Sequence, residues 1–456
     1  MTNGKGTFTN EIDFSDYDKQ KDLTVMENRY DRYKDSGIAW IGVIPEHWEV
    51  RKGKNIFKKE ERPVRDFDEI VTCFRNGEVT LRSNRRIDGF TNAVKEIGYQ
   101  GVRKGDLVIH NMDAFAGAIG VSDSDGKSTP VYSICTPRND TEANTYYYAY
   151  LLRSYALGGV IQSLAKGIRE RSTDFRYKEF GELFYQQPPL AEQQAIADYL
   201  DRRCSEIDEL IALQEEMITK LQSYKQSVIT EAVTRGLDKN VPLKDSGIDW
   251  IGKIPEHWNC TAFKRLLLEP MQYGANEPAE ECDYNNPRYI RITDIKEDRT
   301  LRDDTFKSLP LEKAKDYILS KGDLLFARSG ATVGKTFLYN EDNAACFAGY
   351  LIKAKCNKKK LVPNFVFYYT LSNIYQNWKN SIFIQSTIQN IGADKYSSMP
   401  IIVPPLAEQQ AIADYLDQRC SEIDELIALK QQKIEKLKEY KKSLIFECVT
   451  GKRKVS

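Results

Sequence analysis

The stretch PPLAEQQAIADYLD occupies Pro188–Asp201 and recurs letter for letter at Pro404–Asp417. With one mismatch, Arg202 against Gln418, the identity runs on to Leu213 and Leu429. A second pair of near-copies lies upstream of these. DSGIAWIGVIPEHW spans Asp35–Trp48 and DSGIDWIGKIPEHW spans Asp245–Trp258, differing only at Ala39/Asp249 and Val43/Lys253. Each half of the chain therefore runs short motif, long variable region, repeated segment. A duplication of this kind decides architecture before any single residue is weighed. The chain folds as two copies of one plan.

The repeated segments read as helices. Two prolines break the preceding structure, and Ala, Glu, Gln and Leu then favour helix. Ile207, Ile211, Gln214, Ile218, Leu221, Lys225 and Val228 step by four and three. Ile423, Ile427, Lys430, Ile434, Leu437, Lys441 and Leu444 repeat the pattern, which is a heptad seam interrupted by polar residues at the same two places. A helix lying on a globular core is the alternative, but a run of about 43 residues, roughly 60 Å, exceeds what most small domains hold. The first helix delivers the chain to the second half. A second helix packed along it must run back, antiparallel.

The variable regions, Glu49–Gln187 and Asn259–Val403, resemble each other faintly. KGDLVI at Lys104–Ile109 aligns with KGDLLF at Lys321–Phe326, a glycine-rich turn follows each, and IQS recurs at Ile161–Ser163 and Ile384–Ser386. Alternating runs such as RYIRITDI (Arg288–Ile295) read as strands, and YYYAYLLRSY and FVFYYTLSNIY as one buried helix in each region. The expected fold class is α+β, with two globular heads of one fold joined by two long antiparallel coiled-coil helices in pseudo-two-fold relation. The expected segments are a leader at 1–34, a first head at 35–187, a helix at 188–236, a second head at 237–403 and a C-terminal helix at 404–456.

Formal net charge is zero, but the first variable region carries about +3 and the second about +4. Nine cysteines form no CxxC pair, and no apolar run reaches membrane-spanning length, so a cytoplasmic protein is expected. Candidate chemistry is sparse. GATVGKT at Gly330–Thr336 has three residues between its glycine and Gly-Lys-Thr where a P-loop needs four, so it reads as a turn, with Lys335 a candidate for touching phosphate. NNPRY at Asn285–Tyr289 lacks the second proline of an amino-methyltransferase motif and any glycine-rich cofactor loop before it. His47, His257, Cys204 and Cys420 are duplicated, yet no single copy offers three metal ligands. PEHW reads as packing or interface, and no catalytic residues and no metal site are assigned.

Polar stretches in the variable regions remain. LRSNRR offers Arg82, Asn84, Arg85 and Arg86 near turns. KGIRERSTDFR concentrates Lys166, Arg169, Arg171 and Arg176, and the corresponding QSTIQNIGADK holds Gln385, Gln389, Asn390 and Lys395. Arg328 and Lys335 flank the glycine turn of the second region. Arginine reads guanine edges, Asn and Gln read adenine edges, and Lys and Arg hold phosphates. Ordinary solvated loops are the competing reading. The two long stretches stand at the same place in their regions and differ in residue type, as base-reading loops would.

DSGIxWIGxIPEHW before each variable region, KGDL within it and PPLAEQQAIADYLD after it, in that order and twice over, resemble the specificity subunits of type I restriction–modification systems. The resemblance covers nearly the whole chain beyond 1–34. It implies that each variable region is a target recognition domain reading one half of an asymmetric, split double-stranded DNA sequence. It implies that the repeated helices form an antiparallel spacer and dock two modification subunits, which bind S-adenosylmethionine and methylate adenine. Restriction subunits, two by the same resemblance, would supply ATP- and Mg-dependent translocation and cleavage. The chain itself would be a non-catalytic recognition subunit with no cofactor and no membrane partner. A coiled-coil adaptor with protein-binding heads, and a methylation-only or regulatory system, stay open on the residues alone.

Overall fold

The computed structural model describes residues 28–85, 97–163, 174–279, 282–330, 332–383 and 390–455. They fall into two units. The first joins the residues up to Leu213 with those from Lys433 onward, and the second comprises Gln214–Gln432. The division falls inside both repeated segments, so each unit contains a piece of each.

In the first unit a four-stranded antiparallel sheet is built from β1 (Phe57–Lys59), β2 (Leu107–His110), β3 (Ile119–Val121) and β4 (Tyr132–Pro137), in the order β1-β4-β2-β3. The second unit repeats that order as β5-β8-β6-β7, with β5 (Gln272–Tyr273), β6 (Asp323–Ala327), β7 (Thr336–Tyr339) and β8 (Leu351–Lys355). The two KGDL motifs feed the inner strands β2 and β6. In each, the aspartate closes its own turn, Asp106 accepting from the Arg103 N–H at 2.7 Å and Asp323 from that of Ser320 at 2.8 Å. The apolar run that follows is buried on both faces, as an inner strand requires. Each variable region is also closed by its own ends, Glu49–Lys52 pairing with Phe184–Gln187 and Asn259–Ala262 with Pro400–Val403. Outside this frame the units differ. The first adds a hairpin, Val71–Cys73 with Val79–Leu81, and the second adds a parallel pair, Arg288–Ile290 with Ala345–Phe347.

The buried helix of the first unit is α1 (Thr145–Leu157), whose cap Asn144 accepts from the N–H groups of Tyr146 and Tyr147. It is followed by the long α2 (Leu190–Arg235). In the second unit the expected single helix is two, α3 (Pro363–Leu371) and α4 (Asn373–Phe383). Ser372 causes the break: its hydroxyl donates to the Tyr369 carbonyl at 2.6 Å and accepts from the Tyr375 N–H at 3.4 Å. RYIRITDI is likewise a strand only to Ile290, because the Asp294 carboxylate takes the Arg291 N–H and guanidinium and winds a 3-10 turn. The chain closes with α5 (Leu406–Val449).

All ten predicted seam residues are covered. Ile207, Val228, Ile423, Ile434 and Leu444 are buried, and Ile211, Ile218, Leu221, Ile427 and Leu437 are half-buried. In the second unit Lys430 reaches Gln214 at 3.3 Å and Lys225 reaches Asp424 at 2.6 Å, so advance along α2 is retreat along α5. The helix pieces there are antiparallel. In the first unit Ile196, Leu200 and Ile207 of α2 share one core with Leu444, Cys448 and Val449 of α5.

The repeated motifs meet each other. His47 Nε2 donates to Glu192 at 2.8 Å, the Trp48 indole N–H donates to the same carboxylate at 3.1 Å, and the Tyr30 hydroxyl does so as well. Burial, then the bond to Glu192, holds the Tyr30 phenol far above its ordinary pKa, so it stays a donor. In the second unit His257 and Trp258 donate to Glu408 at 2.8 and 2.9 Å. The next residue, Gln193 or Gln409, is fully buried and bonds three backbone groups of its own unit. Asp201 accepts from Tyr150 and Asp417 from Tyr368, at 2.7 and 2.6 Å. Glycines end the long helices against the same tryptophans. A Cβ on Gly451 would stand 3.1 Å from the Trp48 ring, and one on Gly236 would stand 3.1 Å from that of Trp258. Beside Gly451, the Lys454 N–H donates to the Asn28 carbonyl at 2.7 Å, bringing the last described residues against the first.

Glu192→Ala strands the Trp48 and Tyr30 donors in a closed site, and a loss of about 2–4 kcal/mol in urea unfolding is expected. Glu408→Ala should cost less, because that carboxylate holds two donors instead of three and is 41% exposed against 17%. Combining Glu192→Ala with Trp48→Phe should cost less than the sum of the two, since the second change removes a donor the first had orphaned.

Candidate nucleic-acid interface

In the first unit β2 runs out at His110 into the turn Asn111–Gly117, and that turn anchors the arginine-rich stretch. The Asn111 carbonyl accepts the Phe175 N–H at 3.0 Å. Lys166, Arg169 and Arg171 lie outside the described residues, as does Arg86. Arg176 is exposed, caps the short helix Tyr177–Glu182 and pairs with Asp174 at 2.6 Å. A second turn, at the tip of the Val71–Leu81 hairpin, approaches from the side. Its Arg75 pairs with Asp113 at 2.9 Å. Arg85 donates to Asn76 and Glu78 of the same tip and lies over the Phe74 ring at 4.1 Å. Arg82 reaches the Thr72 hydroxyl and Asn84 that of Thr80. The Arg75–Asp113 bridge thus ties the hairpin tip that holds Arg85 to the turn that accepts the Phe175 N–H.

The second unit anchors its stretch in the same way. The Arg328 carbonyl accepts the Ile391 N–H at 2.8 Å, and Ser329 bridges to Asn390. Gln385 and Gln389 lie outside the described residues; Asn390 and Lys395 are exposed. The Arg328 guanidinium lies over the Tyr273 ring at 5.0 Å, and the Tyr273 hydroxyl accepts the Ala393 N–H at 3.0 Å. Tyr273 is 42% exposed, and Tyr350, whose carbonyl accepts the Arg328 N–H at 3.0 Å, is 65% exposed. Lys335 faces the other way. Its side chain is 8% exposed, and its ammonium donates to the Ile295 carbonyl and to Glu297, each at 3.0 Å. GATVGKT itself connects two antiparallel strands, β6 and β7, whereas a P-loop opens a helix.

The duplicated histidines are spent on Glu192 and Glu408. Burial holds the duplicated thiols of Cys204 and Cys420 above their ordinary pKa, that of Cys420 at about 11, so neither is a thiolate at neutral pH. What both units offer is a frame carrying unlike polar stretches on one anchored turn.

Residues 274–439 match the family model for the type I restriction modification DNA specificity domain. The putative type I restriction enzyme MjaX specificity subunit of Methanocaldococcus jannaschii is 26% identical, over 91% of this chain and 96% of its own length. The EcoBI specificity subunit of Escherichia coli is 27% identical over 51% of this chain and 50% of its own. Among solved structures, a chain from work on complex assembly and conformational transition of the type I R-M system overlays with a TM-score of 0.68 at 17% identity, covering 89% of this chain and 98% of that one. The HsdS subunit of Thermoanaerobacter tengcongensis overlays at 0.52 and 17%, over 90% and 98%. The family model covers the second half of the chain, and the relatives that align along it are type I restriction enzyme specificity subunits.

In a chain that repeats one frame twice, the informative surface is the one that varies. Sequence reading located both stretches but missed Arg75, Tyr273 and Tyr350, which are isolated in the sequence and gain meaning only from what folds beside them. Lys335, chosen for its glycine-rich context, is held by backbone and carboxylate of its own unit. Lys335→Met should therefore lower the stability of the second unit by about 1–3 kcal/mol in urea unfolding, through the lost bond to Ile295.

Proposed function

We propose that each unit of this specificity subunit reads one half of an asymmetric bipartite double-stranded DNA target. The observation that carries the reading is the shared anchor. A carbonyl just beyond the KGDL strand accepts an N–H from the later part of a polar stretch, Asn111 with Phe175 and Arg328 with Ile391, while the stretches themselves differ. One frame with two unlike readers gives two unlike half-sites. The long helices, each contributing to both units, set the length of DNA between the two half-sites.

Two copies of a modification subunit dock on the chain. The support is a repeated apolar surface. Leu210 and Leu213 are 43% and 51% exposed in the first unit, and their repeats Leu426 and Leu429 are 47% and 60% exposed in the second. Seam packing does not need these residues, yet they are identical in both copies. Methyl transfer from S-adenosylmethionine belongs to those partners, and ATP- and Mg-dependent translocation to two restriction subunits. This chain recognises and does not catalyse. No helix of the described residues is long and apolar enough to cross a membrane, and all nine cysteines are free thiols, which fits the cytoplasm.

Replacing Glu49–Gln187 by the corresponding region of another specificity subunit should change one half of the methylated motif in long-read methylome sequencing. A change in both halves would overturn the modular reading. Leu426→Glu with Leu429→Glu should reduce the bound modification subunits from two to one in native mass spectrometry. Retention of both would remove the docking assignment.

A further inference from the structure

Each unit holds a cation that its own structure leaves unanswered, and it holds it at the same place. Gly117 and Gly334 occupy equivalent positions, two residues before the pairings Ile109–Ile119 and Phe326–Thr336, and both have left-handed φ, +88° and +82°. A cation from a helix lies over each. In the first unit it is Arg153 of α1, whose Nε is 3.8 Å from where a Cβ on Gly117 would stand and whose Nη1 lies against Gly77 at the hairpin tip. In the second it is Lys379 of α4, whose stem covers Gly334. A side chain at either glycine would crowd the cation above it.

Among the described residues neither cation has an anionic partner, and the Arg153 Nε is buried with no hydrogen-bond partner. Beside Lys379 stands a second cation, Arg299, which donates to the Thr336 carbonyl at 2.9 Å and also forms no ion pair among the described residues. Arg299 is the one non-glycine residue with left-handed φ, 67°, among those described, a conformation that strains an L side chain. Burial, then the charge of Arg299, pulls the Lys379 ammonium below its ordinary pKa, and burial does the same to Arg153. Desolvated cations are normally matched by an anion. These stand beside the turns that anchor the polar stretches.

We propose that Arg153 in the first unit and Lys379 with Arg299 in the second are matched receivers for a backbone phosphate of DNA. This rests on the DNA-reading function above and deepens it. A phosphodiester would supply the missing charge in each unit and fix the register of the duplex against the turn, leaving base choice to the variable stretches.

The test uses the full chain assembled with its modification subunit. Labelled duplexes with and without the methylated motif are titrated across a sodium chloride series. Arg153→Met and Lys379→Met should each weaken binding of both duplexes and flatten the slope of log K against log salt by about 0.9. The methylated motif should be unchanged, and Arg153→Lys should restore the slope. Melting temperature of the full chain should hold or rise in both Met variants, because a partly desolvated charge with no ion pair among the described residues has been removed; a fall would mark the cations as structural and overturn the assignment. An unchanged slope in the variants, with duplex binding by the parent complex, overturns it while sparing the DNA reading. A parent complex that binds no duplex overturns both. Stabilisation by inorganic phosphate that the Met variants abolish, without any change in slope, would make the site one for a free anion and overturn the DNA assignment.

Discussion

The bond from a buried indole to a carboxylate in the first turn of a long helix is the constraint on which the rest of this molecule depends. Trp48 and Trp258 are fully buried, and each touches two helices of its unit. The glutamate that opens one helix accepts the indole N–H, and the glycine that ends the other packs on the ring face. A single side chain therefore fixes the start of α2 to the end of α5 in the first unit, and the start of α5 to the end of α2 in the second. The carboxylate is well placed at a helix N-terminus, where the dipole favours negative charge. Its removal would leave the indole N–H buried without a partner, a larger penalty than the bond's own net contribution. This is why PEHW and AEQQ must be copied together: a change in either strands a group on the other.

The same logic separates what is repeated from what varies. Gln193 and Gln409 each satisfy three backbone groups inside their unit, and Asp201 and Asp417 each take a tyrosine hydroxyl from the helix that crosses them. Each such position has a geometry only one residue type meets. The sheet is more permissive. Its inner strands need apolar side chains on both faces, so LVIH and DLLFA do the same work, and the shared strand order survives sequences that barely align. The loops beyond the sheet carry almost no such burden and are free to differ.

Much of this was legible in the sequence because it is local or periodic. The seam residues follow from a four-three spacing, the helix starts from a double proline and the kinship of the two variable regions from KGDL. Where reading failed, a side-chain hydrogen bond decided. Ser372 splits one expected helix by bonding Tyr369 on one side and Tyr375 on the other, a choice invisible in an apolar run. Lys335 sits in a glycine-rich string that suggests phosphate, yet Ile295 and Glu297, some forty residues back, hold its ammonium. Arg153 is the converse case. In the sequence it is one polar letter in a tyrosine-rich helix, and only the fold shows that its Nε is buried with no partner among the described residues.

The polar residues that interrupt the seam have a role that hydrophobic spacing alone could not fill. A stripe of Ile and Leu tolerates a shift of one heptad at small cost, because each knob finds a similar hole. Charges do not. In the second unit Lys225 meets Asp424, and in the first Lys441 meets Asp208, which is the same pair with the repeats exchanged. Both lysines are largely covered by the helices, with about a quarter of each side chain exposed, so a slip would leave an ammonium facing apolar surface. Such pairs add little to stability when partly solvated. Their effect is on register, since only one alignment of α2 with α5 satisfies the lysine in each unit. The duplication supplies that register twice from one pair of sequence positions, and every contact at the tryptophans depends on it.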